Sequence, residues 1–215
     1  MNKTPIALIA ILIAALAGCH WSGIRGNGHM ATEQRTVGDF SEIDAGGALE
    51  IEWRSGSPSL TITADENLLS HIDTKIIGKR LRISSHGNIW PTHSIKVSIT
   101  SLNRLGAELS GATRLTANQL TGTKFAIESS GATRLTFDGN IDQLLVDMTG
   151  ASKLDANSLK TKVAEISTTG AAKAEVAVSE SLKVSITGAG KVVYSGNPAT
   201  IEKNITGAGS ITHKE

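Results

Sequence analysis

A chain of 215 residues with a formal net charge of +1 and 3% aromatic side chains has the length for one domain with short appendages. Near-neutrality argues against a nucleic-acid partner, which usually needs a basic face or stripe, and a single cysteine excludes any intramolecular disulfide. Scarce rings beside 22 glycines and four prolines fit stacked short strands better than a bundle of helices.

The first twenty residues, "MNKTPIALIAILIAALAGCH", start with one positive side chain, Lys3, then run apolar from Ile6 to Ala17. Such a run is shorter than the roughly 20 residues a membrane-spanning helix needs, and it suits the apolar part of an export signal. It ends in "LAGC", which resembles the lipobox of bacterial lipoprotein signals. The resemblance implies a signal peptide over 1–18, with Cys19 becoming the first mature residue and carrying the lipid. His20 rather than Asp follows the cysteine. By the sorting rule of those lipoproteins, this implies the outer membrane in a two-membrane cell, and the outer face of the membrane in a cell with one. Residues 19–36 then read as lipid anchor and flexible tether, small, polar and glycine-rich. Trp21 suits either the lipid headgroups or an ordinary exposed linker.

Residues 37–100 carry strand patterns without a repeat. "ALEIEWR" (48–54) and "SLTITAD" (59–65) alternate cleanly around the turn "SGSP", and "ENLLSHI" (66–72) suggests a short helical turn. "TKII" and "RLRIS" flank Gly78-Lys79, a two-residue hairpin signal, and "IKVSIT" leads onward. This stretch is expected to cap one end of the repeats C-terminal to it, because an open sheet end invites aggregation; polar residues such as "ITHKE" would blunt the other end.

Over 101–215 a unit recurs six times. Its glycines are Gly111, Gly131, Gly150, Gly170, Gly188 and Gly207, at spacings of 20, 19, 20, 18 and 19. Each is preceded by Ser or Thr and followed by Ala; "SGATRL" appears twice, letter for letter. Six residues before the glycines stand Leu105, Phe125, Leu144, Ala164, Leu182 and Ile201, and four before stand Ala107, Ile127, Val146, Ile166, Val184 and Lys203. Polar residues alternate with these columns, and apolar ones return four residues after the glycine, as in Leu115, Leu135 and Leu154. Period-two alternation marks strands with one buried face. The units are shorter than helical repeats and lack a leucine-rich frame. The fold expected is therefore all-β, a repeat β-solenoid with about 19–20 residues per coil and the non-repeat segment as its cap.

The "SGA" and "TGAG" corners, the closing "YSGNP…ITGAGSI" and the opening "FSEIDAGGALEIEW" resemble the putative auto-transporter adhesin head GIN-domain family, over residues 37–215. That resemblance implies a right-handed parallel β-helix-like fold on a lipid-anchored or secreted envelope protein. Adhesion comes with the family's name, and no catalytic residues come with it. A literal Gly-Ile-Asn triplet is absent, and with the chain ending just after the last repeat no translocator barrel is expected.

Three residues after the glycines stand Arg114, Arg134, Lys153, Lys173 and Lys191, then Ser210. With coils about 4.8 Å apart, these predict a cationic ladder roughly 20 Å long. Neighbours at that spacing repel by only about 1 kcal/mol in water, so the ladder needs no ligand to be tolerated. Two readings stand: basic stems that shield strand edges and find the acidic column Glu108, Glu128 and Asp147, or a linear site for a polyanionic glycan, teichoic-type polymer or lipid headgroups.

Other chemistry finds little footing. His86 and His93 flank Trp90, and Asp138 and Asp142 sit in "DGNID", but neither set has the ligand count or spacing of a zinc or calcium site. No metal and no cofactor are expected. There is no Gly-x-Ser-x-Gly elbow, no P-loop and no nucleophilic cysteine once Cys19 is acylated. The sequence thus reads as a lipid-anchored envelope β-solenoid, not an enzyme, presenting a rigid polar face for binding or adhesion. Its expected partners are the membrane, through the lipid, and a polyanionic glycan or envelope protein. A non-binding envelope scaffold and a carbohydrate-active enzyme are the rival readings, and the oligomeric state is left open.

Overall fold

In the computed structural model, residues 23–214 are described; the expected signal peptide 1–18, Cys19 and Trp21 lie outside them. The strands in chain order are β1 (Ile24–Arg25), β2 (Met30–Arg35), β3 (Glu42–Gly47), β4 (Leu49–Ser55), β5 (Ser59–Asp65), β6 (Ile72–Ile77), β7 (Arg80–Ser85), β8 (Ile89–Trp90), β9 (Ile95–Ser101) and β10 (Gly106–Gly111). They continue as β11 (Arg114–Gly131), β12 (Arg134–Gly150), β13 (Lys153–Gly170), β14 (Lys173–Gly188), β15 (Lys191–Ser195), β16 (Thr200–Gly207) and β17 (Ser210–His213). One 3-10 turn, Glu66–His71, falls where "ENLLSHI" suggested it. β10 to β17 stack in parallel, each coil on the last, as a β-solenoid of about five turns.

Each long strand runs from one Gly-Ala corner to the next, with one or two register irregularities on the way. The corner glycines stand level through the stack: Gly111 against Gly131, then Gly150, Gly170, Gly188 and Gly207. Two conditions make this position glycine. Gly131 has φ +99°, a left-handed region that side chains rarely occupy, and a Cβ there would lie 2.6 Å from the Gly111 carbonyl oxygen. That same carbonyl accepts the Ala132 amide at 2.8 Å, so one coil's corner is hydrogen-bonded onto the one before it.

Inside, side chains stack in columns. Leu115, Leu135, Leu154, Ala174 and Val192 form one, all fully buried, and burying each Leu contributes about 1.5–3 kcal/mol. Another alternates large and small: Trp53, Ala117, Phe137, Ala156, Val176 and Tyr194. Phe40, Trp53, Phe125 and Phe137 touch in sequence, with ring centroids 5.3–6.2 Å apart. Four of the five buried aromatics are thus concentrated at one end of the core, where the cap joins the coils, with Tyr194 at the other.

Three expectations need correction there. First, the solenoid begins before the six repeat units. β3 and β4 form a coil of the same kind, with Gly47 level with Gly111 and Ile51 level with Leu115. Some 50 intervening residues hide it from a spacing count, since β7 and β9 pair in parallel with β3 and β4 as a further partial layer. The hairpin strand β6, with β5 and β2, closes that end by antiparallel pairing. β4 and β5 flank a turn but do not pair, because β9 lies between them.

Second, the segment read as flexible tether is largely built into the cap. All six residues of β2 pair with β5, and Thr32 bonds Thr63 across the ladder at 2.8 Å. Third, Leu105 and Ile201 do not join the core column of Phe125 and Leu144; they are 47% and 39% exposed. Arg104 turns inward instead of Leu105, and its guanidinium donates to the carbonyls of Trp53, Asn118 and Gln119 at 2.5–3.2 Å. Asn118 and Gln119 belong to an irregular corner where Gln119 adopts φ +54°. Burial pushes the Arg104 pKa below its ordinary value. Ile201 lies in the final coil, on which no further coil packs among the described residues.

Two glycines of different surroundings make a paired test of the corner. Gly131→Ala should destabilise the fold by about 2–4 kcal/mol, combining backbone strain with displacement of the Gly111 carbonyl. Gly78→Ala, at φ +66° with open space around it, should cost only about 1–2 kcal/mol. Chemical denaturation of the two variants measures the difference, and equal losses would refute the stacking constraint.

Candidate functional site

The cationic ladder exists because the main chain is in register. Arg114 stands beside Arg134, then Lys153, Lys173, Lys191 and Ser210, with no offset. From Arg134 on, each cationic rung is fixed by its own amide: Arg134 N donates to Thr113 O, Lys153 N to Thr133 O, Lys173 N to Ser152 O and Lys191 N to Ala172 O, all at 2.9 Å. Thr113, Thr133 and Ser152 are themselves buried, and Thr133 Oγ1 donates to Ser152 Oγ at 2.9 Å beneath the ladder.

The ladder continues past the six repeats with a change of sign. Below Arg114 the same position is Glu50, and below that Lys96. Glu50 pairs with Arg114 at 3.3 Å. On the neighbouring outward column, Glu175 pairs with Lys173 at 2.6 Å and also accepts the Asn157 amide at 2.8 Å. Arg134, Lys153 and Lys191 have no carboxylate at ion-pair distance among the described residues.

The expected pairing with Glu108, Glu128 and Asp147 does not form. Those carboxylates stand on the strand before the corner, on the other side of the glycine column. Glu108 is held instead by Arg80 of the cap at 2.8 Å, and Arg80 also grips Glu42 at 3.0 Å. These carboxylates hold its pKa above the ordinary arginine value, the Glu42 hydrogen bond first. A basic column and an acidic column therefore run along opposite sides of one corner.

What departs from the repeat is a wall. Residues Pro91–Ser94, between β8 and β9, stand over the first three rungs and turn them into an open groove of about 510 Å³. Arg114, Arg134 and Lys153 line it with Glu50 at one end, and small Ala112, Ala132 and Ala151 leave room beside them. The wall is held by Asp65, a fully buried carboxylate that accepts Thr92 N at 2.9 Å, Thr92 Oγ1 and Gly28 N at 2.8 Å. The Thr92 hydroxyl bond leads in holding the Asp65 pKa below the usual value, with burial opposing. Glu50, Asp65, Pro91, Thr92 and Ser94 are parts of this site that the sequence did not point to, and His93 was weighed only as a metal ligand. "GGALE" at 46–50 was the one available signal, repeating the Gly-Ala corner with Glu where the cation belongs.

The remaining sequence candidates take other roles. His86 bonds Asp73 at 2.9 Å and His93 meets Thr92 at 2.9 Å. Asp138 accepts the strained Gln119 amide at 2.6 Å, and Asp142 pairs with Lys162 at 2.8 Å. Among the described residues no group of three or more His, Cys, Asp or Glu could hold a metal ion.

A family model described as "Putative auto-transporter adhesin, head GIN domain" matches residues 39–198. The chain belongs to that family. Membership supports an adhesion module of the cell surface or envelope. Among solved structures, the GIN-domain chain resembles a putative adhesin from Bacteroides fragilis, at 20% identity and TM-score 0.72, over 89% of this chain and 100% of that one. A putative adhesin from Parabacteroides distasonis is similar at 18% identity and TM-score 0.64, over 90% and 100%. A protein of the same species named a putative lipid binding protein matches at 21% identity and TM-score 0.53, over 90% and 100%. At these identities the likeness is one of fold. The curated proteins give no match.

The rung at Lys173 makes a pH prediction. Glu175 is drawn down to about 2 by its hydrogen bonds from Lys173 and then Asn157, against burial. A depressed carboxylate pKa contributes stability that is complete above the ordinary 4.5 and is lost as pH falls toward 2. Carboxyl NMR should show Glu175 titrating near 2, and Lys173→Met should move it back toward 4.5. An unchanged titration in that variant would rule out the pair.

Proposed function

We propose that this GIN-domain protein is a lipid-anchored adhesion module of the cell envelope that binds a linear polyanion along the groove at Arg114, Arg134 and Lys153. The observation that carries the reading is the Pro91–Ser94 wall. A scaffold repeats its surface unchanged from coil to coil, whereas here a loop from outside the repeats converts three rungs into a groove. Three cations face one carboxylate there; Lys173, which is paired with Glu175, and Lys191 extend the track by about 10 Å more. A chain of regularly spaced phosphates, sulfates or carboxylates matches such a track, and the exposed Ala column leaves space for its backbone. The lipobox at Cys19 supports the anchor, and His20 supports the outer membrane in a two-membrane cell.

Binding of dextran sulfate or polyphosphate to the chain from His20 onward tests the groove. Arg114→Ser, Arg134→Ser and Lys153→Ser combined should abolish binding, and added salt should weaken it steeply. Glu50→Gln should strengthen it by about 3-fold, since Arg114 is released from its partner. Titration calorimetry reads both, and binding that survives the triple change leaves only the scaffold reading. For the anchor, intact mass of the membrane fraction should show acylated Cys19, and Cys19→Ala should release the protein from that fraction.

A further inference from the structure

We infer that the corner formed by Ile24, Arg25, Trp90 and Pro91 rests on the lipid surface that holds Cys19, so that the domain stands on the membrane in one orientation. The inference rests on the lipid-anchor reading and goes beyond it, because it assigns the face of the folded domain that meets the bilayer.

Covalent reach comes first. Gly23 is four residues from Cys19, so the connection spans at most about 14 Å whatever its conformation. At Ile24 the chain is already docked: β1 pairs in parallel with β8, Ile24 with Ile89 and Arg25 with Trp90. Ile24 N donates to Asn88 O at 2.8 Å and Gly26 N to Trp90 O at 2.9 Å. A lipid on Cys19 therefore holds this corner beside the bilayer and leaves no long tether to turn on.

The surface at that place suits a lipid interface. The other aromatic residues of the described chain, Phe40, Trp53, Phe125, Phe137 and Tyr194, are buried; Trp90 is 41% exposed, beside Ile24 at 37%. The indole lies over Gly23, where even a Cβ would fall 2.0 Å from its Nε1. Indoles favour the headgroup level, where an apolar body meets a polar edge. Neither 20–30 nor 86–94 contains an Asp or Glu, and Arg25 supplies a cation. Nearby Asp65 is buried and Asp73 is paired with His86, so the exposed carboxylate of the surrounding rim is Glu66, whose amide donates to His29 O at 2.8 Å. The corner is also stiff, since Asp65 ties Gly28 to Thr92, so docking orders little that is not already ordered. This orientation brings the groove close to the bilayer, because Pro91 belongs to both the corner and the groove wall.

Cys19 is the only thiol in the chain, so the chain from Cys19 onward can be coupled to a maleimide phospholipid in vesicles, independently of lipidation in the cell. With Trp21→Phe in place, brominated phospholipids should quench the Trp90 emission. Adding Trp90→Phe should remove that quenching, leaving the buried Trp53 unaffected. Emission from the Trp21→Phe protein that is the same with and without bromine would overturn the inference. So would a dimer in sedimentation of the uncoupled chain that Trp90→Asp disperses, because a second copy would then cover the corner. An unacylated Cys19 in the cellular protein would instead sink the anchor reading, and the vesicle readout would still report on the corner.

Discussion

The close approach of successive main chains at the glycine corner is the constraint on which this structure depends. Each corner carbonyl accepts the next coil's alanine amide, and a Cβ at the glycine would fall against that carbonyl. The contact leaves no freedom in register: a coil cannot slide by one residue without putting a side chain into the carbonyl below. Everything that matters outside the corner inherits this fixity. Leu135 lies over Leu115, and Arg134 lies beside Arg114, for the same reason.

Regular stacking also explains why the ladder alone says little about function. Any residue type favoured once at an outward position and copied with the repeat becomes a column, whether or not a ligand exists. The acidic column of Glu108, Glu128 and Asp147 arises in the same way as the basic one. Information enters where the repetition stops. Glu50 closes one end of the cationic column, and Pro91–Ser94 stands over its first rungs. Both come from residues between 42 and 101, the part of the chain with the least internal symmetry.

Legibility in the sequence follows the same division. The repeat, its corner and its cations could be read because they are local and recur at near-constant spacing. The Gly47 coil shows the same Gly-Ala signal but sits 64 residues before Gly111, so spacing could not attach it to the others. β2 looked like tether because "MATEQR" has little apolar content; its order comes from backbone pairing with β5, about 30 residues away. Leu105 looked like core because nothing local announces the carbonyls of residues 118 and 119 that draw the neighbouring Arg104 guanidinium inward in its place. Alternation reports which face is buried within a strand, but it is silent about which distant segment supplies the missing hydrogen bonds.

The position of β9 between β4 and β5 has a consequence for the order of assembly. The coil of β3 and β4 is flanked on one side by β7 and β9 and on the other by β10 and β11. Its hydrogen bonds cannot all close until the chain is complete to about Ala117. Beyond that point the rule changes, because each new coil meets a finished edge and needs only its own residues to dock. This topology predicts that folding divides into one slow, many-bodied step over the first half of the chain and a succession of short additions over its second, like a zip fastener whose slider must be seated before it runs.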